Sequence, residues 1–345
     1  MKIIVFDDDP TGSQTVSDCI LLLRWDHDLL TCALKDSSPL LFLLTNTRSM
    51  SAYLAEETIR QTCKSVKKTL KSLGFLSRDV FFVSRGDSTL RGHGVLEPEI
   101  INQILGPFDA TFHIPAFFEG GRTTLHGVHL LSGLPVHKSE FAKDKIFGYT
   151  TSQLDLWLQE KSNGRIAAKN VARLSISLLD AAAKSKNGMN RLLEWLCNLS
   201  DNRFVVVDAE LPEHLAILGK AIRSLQGQKT FLFRSAASFL NALADCPIKE
   251  CEANKLSTLR LKNSSGQFKP GLIMVGSYVP LADEQLKILL QEDSCFGIEL
   301  PVKEIADALG SGLDEINLAQ LEKKYLQELN NCLSLDKTPV LYSSR

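Results

Sequence analysis

Apolar residues fall along the chain in two alternating rhythms. Unbroken runs of strand length occur at Lys2–Phe6, Cys19–Arg24, Leu40–Leu44, Asp79–Ser84, Ala110–Ile114 and Arg203–Asp208. Continuous runs of this kind suit strands buried on both faces. Between them Ile59, Cys63, Val66, Leu70 and Leu73 recur at steps of four and three, which makes one face of a helix. Gly74 follows where a left-handed cap belongs. Val95–Leu105 and a segment opening at Pro212 read as further helices. The alternation predicts an α/β fold: a mostly parallel, Rossmann-like sheet flanked by helices.

After Cys246 the pattern thins into Lys, Asn, Ser and Gly with scattered apolar residues. A second series then begins. It has a strand at Gly271–Gly276, a helix through Gln285–Leu290, a strand near Phe296–Leu300, a helix near Leu313–Leu333 and a strand at Pro339–Tyr342. The expected division is residues 1–246, a linker over 247–269, and a second α/β domain over 270–345. With roughly 75 residues that second domain is small for a core of its own and reads as incomplete.

Composition removes several function classes. The 345 residues carry 39 basic and 40 acidic side chains, a net charge of −1, so no basic field points to nucleic acid. No apolar run has the length of a membrane span, and Met1–Phe6 is too short for a signal sequence before the carboxylates begin. Eight cysteines are scattered without a Cys-x-x-Cys pair, which reads as buried or incidental thiols in a reducing cytoplasm and not as zinc ligands. His126, His129 and His137 lie along HGVHLLSGLPVH, which predicts a hairpin turning near Gly133. Together with His113 they are expected to be satisfied or solvated, not metal ligands. Phe117 and Phe118 read as packing.

The chemistry-bearing stretches each follow a predicted strand: Asp7–Thr11, Thr45–Ser49, Ser84–Gly92 and Pro115–Thr124. Loops at the carboxyl ends of parallel strands converge on one crevice. Three of these loops bring Arg48, Arg85, Arg91 and Arg122, whose planar forks suit carboxylate and phosphate oxygens. Acids from the first loop and arginines from the others fit a small, hydroxylated, anionic molecule. For Arg91 and Arg122 the competing role is a structural ion pair with Asp87 or Glu119.

Three adjacent carboxylates, Asp7-Asp8-Asp9, straight after the first strand repel one another and imply a job. One candidate is a haloacid-dehalogenase-type phosphohydrolase, in which Asp7 would attack phosphorus and Asp9 would serve as acid–base. That chemistry needs a later pair of acids for magnesium, and VVVDAE offers only Asp208 and Glu210.

The ordered series DDDPTGSQTV (7–16), TNTRS (45–49), SRGDSTLRGH (84–93), PAFFEGGRTTLHGVHLL (115–131), SEFAKDKIFGY (139–149), VVVDAE (205–210) and LFRSAASF (232–239) resembles the four-carbon acid sugar kinase family. That family phosphorylates sugar acids such as threonate or erythronate with ATP and Mg2+. The resemblance implies that the first domain binds the sugar acid. Asp8 or Asp9 would be the base that takes the hydroxyl proton. Asp7, Thr11, Gly12, Arg48, Arg85, Asp87, Ser88, Thr89, Arg91 and Arg122 would bind substrate, with Gly12 letting backbone amides approach it. Gly276 and Ser277 would open the nucleotide site of the second domain, before a helix whose first amides can meet phosphate.

Two departures from the family pattern follow. Leu281-Ala282-Asp283 stands where related sequences place Lys or Thr, and no Gly-Gly-[acid]-Thr loop follows Tyr342-Ser343-Ser344-Arg345. The expectation is therefore a kinase with a shortened nucleotide half, completed by a homodimer or by a separate C-terminal half. The alternative is a sugar-acid-binding remnant with weak or absent turnover.

Overall fold

A computed structural model describes residues 2–13, 16, 17, 19–246, 258, 260–277, 280–310 and 315–344. The chain divides into two compact units, Met1–Lys249 and Glu250–Arg345. The stretch 247–257, most of the expected linker, lies outside the described residues, as do Tyr278, Val279 and Arg345.

The first unit begins with β1 (Lys2–Asp7), β2 (Cys19–Leu22), β3 (Leu40–Leu44), β4 (Val80–Arg85) and β5 (Ala110–Ile114). An antiparallel trio follows, β6 (Arg122–Leu125), β7 (Val128–Leu131) and β8 (Leu134–Pro135). Then come β9 (Ala172–Leu174), β10 (Arg203–Val207) and β11 (Phe231–Ser235). Eight of these strands form one parallel sheet in the order β2-β3-β1-β4-β11-β5-β10-β9. The chain moves to one side of β1 for β2 and β3 and returns to its other side for β4. The strand order therefore reverses at β1, and a crevice opens at the carboxyl ends there.

Side chains alternate across the sheet, so each strand feeds two cores. Ile3, Val5, Phe42, Val83, Phe112 and Phe233 face one layer of helices, which includes Pro212–Ser224 and Ala237–Ala244. Ile4, Phe6, Leu41, Leu43 and Phe82 face the other, which includes Ala52–Ser72. This explains why the strands read as unbroken apolar runs. In Ala52–Ser72, Ile59, Cys63, Val66 and Leu70 form the buried stripe. Gly74 adopts φ +77° just beyond the helix, and Phe75 N donates to Leu70 O at 3.0 Å.

The expected single hairpin is a three-stranded meander. It turns first at His126-Gly127 and again at Ser132-Gly133, all four residues having positive φ. The expected strand Cys19–Arg24 stops at Leu22, and Leu23 beyond it is 68% exposed.

The second unit contains a three-stranded parallel sheet of β12 (Ile273–Val275), β13 (Cys295–Leu300) and β14 (Thr338–Ser343), with β14 in the middle. Helices Pro280–Leu289, Val302–Gly310 and Glu315–Ser334 accompany it. Among the described residues no helix is long and apolar enough to cross a membrane.

Phe233 is fully buried, with Phe81, Phe112 and Phe239 at ring-centroid distances of 6.2, 5.6 and 5.1 Å. Phe233→Ala is expected to lower the stability of the first unit by about 3–5 kcal/mol, read from the midpoint of its urea unfolding curve.

Candidate functional site

The backbone laces the loops at the switch point together. Asp7 O accepts from Thr45 N at 2.9 Å and from the Thr45 hydroxyl at 2.9 Å. Asp8 O accepts from Arg48 N at 3.1 Å, and Gly86 N donates to Ser235 O at 2.9 Å. The ends of β1, β3, β4 and β11 thus hold one another in register, and their side chains meet.

Asp8 is at the centre and is fully buried. Arg48 Nη2 reaches its Oδ1 at 2.7 Å, Arg85 Nη1 lies at 3.5 Å and Arg234 Nη2 at 3.4 Å. Arg234 turns its other nitrogen to Glu97 Oε2 at 2.6 Å and to the Ser84 hydroxyl at 2.7 Å. Glu97 also accepts from Thr47 Oγ1 at 2.6 Å and Ser84 Oγ at 2.8 Å. A buried ion network is tolerable only when its members are satisfied in this way. Gly92, at φ +95°, brings its backbone so close that a Cβ would lie 2.9 Å from Asp8 Oδ2.

The three acids therefore occupy three environments. Asp7 is buried and neither oxygen is hydrogen-bonded. Burial pushes its carboxyl up to about 7, with Arg85 at 3.6 Å opposing and Asp8 reinforcing the shift. Asp9 is at the rim, its side chain 23% exposed. Burial would raise it, but the Thr11 hydroxyl and amide and Arg48, 3.0 Å away, hold it below the usual carboxylate range. Gly12 is not in a left-handed conformation; a Cβ there would run into the Asp7 carboxylate. Its amide closes a turn on Asp9 O at 3.1 Å, and the missing side chain clears Asp7.

Beside this network lies a cavity of about 270 Å³ lined by Thr11, Arg48, Arg85, Asp87, Ser88, Arg91, Phe117 and Arg122, with Ala236 and Ala237. All four expected arginines reach it. None of Asp7, Asp8 and Asp9 lines it; of the two acids expected as the base, Asp8 is fully buried among arginines and Asp9 is partly exposed beside Thr11 and Arg48, which do line it. Phe117, read as packing, is part of the wall.

Arg91 Nε pairs with Asp87 Oδ2 at 2.7 Å. Burial would raise Asp87, but Arg48, Arg91 and the Thr89 hydroxyl hold it below its ordinary range. Arg122 does not pair with Glu119, which accepts instead from Ser238 Oγ at 3.1 Å. Its Nη1 donates to Gly120 O at 2.6 Å, its Nε is buried without a partner, and among the described residues no carboxylate lies within ion-pair distance.

The histidines serve the scaffold. His129 Nε2 donates to Ser88 O at 2.7 Å and its Nδ1 meets Thr124 Oγ1 at 3.0 Å, while burial lowers its pKa to about 4. His113 is buried against Trp157, with ring centroids 5.0 Å apart. His137 Nδ1 meets Ser152 Oγ at 2.8 Å, and His126 sits in the first turn of the meander.

In the second unit Gly276 and Ser277 follow β12 and precede helix Pro280–Leu289, and Ser343 Oγ donates to Gly276 O at 3.3 Å. Sequence reasoning missed Arg234, Glu97 and Ser84. The available signal was an arginine inside the otherwise apolar strand FLFRS.

An open parallel sheet with four arginines lining the cavity at its switch point defines the first unit as an α/β domain with a cationic crevice. Residues 3–243 match the family described as the sugar-binding N-terminal domain, and the chain belongs to that family, the four-carbon acid sugar kinases. It is 25% identical over 294 residues to a D-erythronate kinase of Heliobacterium modesticaldum, covering 83% of this chain and 60% of the relative. The chain thus spans about three fifths of the curated relative's length.

Solved structures share the fold. A Salmonella typhimurium LT2 protein is 18% identical with TM-score 0.64, covering 99% of this chain and 74% of its own. A Bordetella bronchiseptica domain of unknown function, a domain-swapped dimer with bound citrate, is 20% identical with TM-score 0.55, covering 99% and 72%. Family membership displaces the phosphohydrolase alternative, and Asp7, its proposed nucleophile, lies buried beneath Gly12.

The environment of Asp7 has a consequence for stability. Its folded pKa is raised above the unfolded value, so the folded state binds the extra proton and stability falls as pH rises from about 4 to about 7. Asp7→Asn is expected to flatten that slope and to raise stability at pH 8 by on the order of 2 kcal/mol, measured as thermal midpoints from pH 5 to pH 8. An unchanged slope would place the titrating proton elsewhere.

Proposed function

We propose that the first unit binds a four-carbon sugar acid, erythronate, threonate or an oxo form, and that the chain takes part in ATP-dependent phosphorylation of one of its hydroxyls. The observation that carries this reading is Arg122, a guanidinium without an ion-pair partner in a cavity that three further arginines line. A carboxylate is the ligand such a site lacks. Cavity size and polarity suit a small polyhydroxy acid, with the Thr11 and Ser88 hydroxyls offering partners to its hydroxyls. The citrate in the Bordetella structure supports a small carboxylate as a ligand for this fold.

In this reading Arg91 and Arg122 take the carboxylate, and Arg48 and Arg85 orient the rest of the acid while tied to the acidic loop. Asp9 is the proton acceptor. It is the most exposed acid of its loop, and both residues that hold it, Thr11 and Arg48, line the cavity. Asp87 keeps Arg91 in place, and Thr89 braces Asp87.

A nucleotide would supply the phosphoryl group. Gly276 and Ser277 fit a phosphate cradle in kind: they follow a parallel strand, precede a helix, and space is open where a Gly276 Cβ would stand. Among the described residues no group of three or more His, Cys, Asp or Glu converges on a metal site. In this proposal magnesium arrives with the polyphosphate. The reading includes a cytoplasmic location, where ATP is available, and self-association or a complementing C-terminal half.

The test is calorimetric titration with a panel of four-carbon sugar acids, followed by ADP release from Mg-ATP. Arg122→Ala is expected to weaken acid binding ten- to a hundredfold with an unchanged circular dichroism spectrum. Asp9→Asn is expected to keep acid binding and lose acid-dependent ADP release. Acid binding without ADP release in the unaltered chain would support the binding-remnant alternative, and no acid binding would sink the reading.

A further inference from the structure

One loop away from the cavity touches the substrate loop at every second residue. Segment Glu140–Tyr149 lies between the meander and helix Leu154–Lys161. Its Tyr149 hydroxyl donates to Thr89 O at 2.7 Å. Its Phe141 ring lies under the Arg91 guanidinium, 4.9 Å from the centroid. Its Phe147 ring meets His93 edge-on at 5.1 Å. Three aromatic side chains thus grip positions 89, 91 and 93. Phe141 also lies 6.0 Å from the Arg122 guanidinium. One ring therefore contacts the two arginines that the proposed function assigns to the carboxylate.

The segment is itself tied down. Asp144 Oδ1 accepts from Ile146 N and Phe147 N, each at 2.9 Å. Gly148 N donates to Asp144 O at 2.9 Å, and Tyr149 N to Ala142 O at 3.1 Å. Lys161 donates to Gly148 O. Such internal bonding makes the loop a fixed support.

The two guanidinia need a support of this kind. They carry like charges, and Asp87 forms an ion pair with Arg91 alone. Each is tethered through one nitrogen, Arg91 Nε to Asp87 and the Thr89 hydroxyl, and Arg122 Nη1 to Gly120 O. Tethering through one nitrogen leaves the far side of a planar fork unconstrained. An aromatic face attracts each cation and limits its rotation, while leaving the remaining N–H groups free for a ligand. Among the described residues the Nη groups of Arg91 make no hydrogen bond.

We propose that Phe141 is a positioning residue: its ring sets the relative orientation of Arg91 and Arg122 so that the pair clamps one carboxylate, with Glu140–Tyr149 as its rigid mount. This rests on the sugar-acid reading for the identity of the ligand, and on geometry alone for the arrangement of the arginines.

Two variants separate positioning from packing. Phe141→Leu keeps most of the apolar volume and removes the π face; Phe141→Tyr keeps the face. Proton–nitrogen NMR of the arginine side chains reads the arrangement without any ligand. Arg91 should show ring-current-shifted Nε–H and Cδ–H signals in the wild-type chain and in Phe141→Tyr, lost in Phe141→Leu, whereas Arg122, which also has the Phe117 ring at 5.9 Å, should change its shift without losing it. Titration with erythronate and threonate reads the consequence. Phe141→Leu should weaken binding at least fivefold and Phe141→Tyr less than twofold, with maximal turnover, where measurable, unchanged in both.

Equal affinity in Phe141→Leu and wild type, or Arg91 and Arg122 signals left unchanged by Phe141→Leu, would overturn the proposal. If the wild-type chain binds neither acid while the NMR signals behave as stated, the sugar-acid reading fails and the assigned role of Phe141 in orienting the two arginines stands.

Discussion

The site depends on one buried carboxylate. Asp8 is fully enclosed, and Arg48, Arg85 and Arg234 come to it from the ends of three different strand-loop segments. Without it three guanidinia would face one another in a region of low polarity, each a source of repulsion. With it, they become fixed points. Two of the three, Arg48 and Arg85, also line the cavity, so the interaction that closes the core places two of its cations. Glu97 and Ser84 complete the arrangement by holding the far edge of Arg234.

This arrangement gives the three consecutive aspartates distinct duties. Along a strand end, successive side chains point in different directions. Asp7 is left without a hydrogen bond in a dehydrated position 3.6 Å from Arg85, Asp8 points into the arginine cage, and Asp9 emerges at the rim, where Thr11 and Arg48 bind it. Close repulsion among the three is limited because Asp7 holds its proton up to about pH 7 and the other two are paired with arginine. A run of three acids that looked costly in one dimension is thus divided among three environments.

Much of the scaffold could be read from the residues because parallel strands buried on both faces must be continuously apolar. Leu40–Leu44 and Ala110–Ile114 are strands over the expected residues, and the helix over Ile59–Leu70 with its Gly74 cap is where its period places it. The four arginines could be read because each belongs to a polar stretch that closes or follows such a strand. What could not be read depends on distant partners. Arg234 finds Ser84 and Glu97 150 and 137 residues away, and a lone arginine in a strand carries no mark of that. Phe141 looks like any loop phenylalanine until Arg91 and Arg122 are placed over it. The split among Asp7, Asp8 and Asp9 was likewise invisible, since it depends on backbone direction over two residues.

Charge balance shows that a site so rich in acids still carries a cationic surplus. Five guanidinia, Arg48, Arg85, Arg91, Arg122 and Arg234, gather around the switch point. The carboxylates paired with them are Asp8, Asp9, Asp87 and Glu97, and Asp7 is close to half-protonated at neutral pH. The surplus is one positive charge while Asp7 holds its proton and falls towards one half as Asp7 ionises near pH 7, and the guanidinium without a carboxylate partner among the described residues is Arg122. A single carboxylate cancels that surplus, and a second anionic group would have to compete with Asp87 and Asp9 for arginines already engaged. On this count the cavity is matched to a single negative charge.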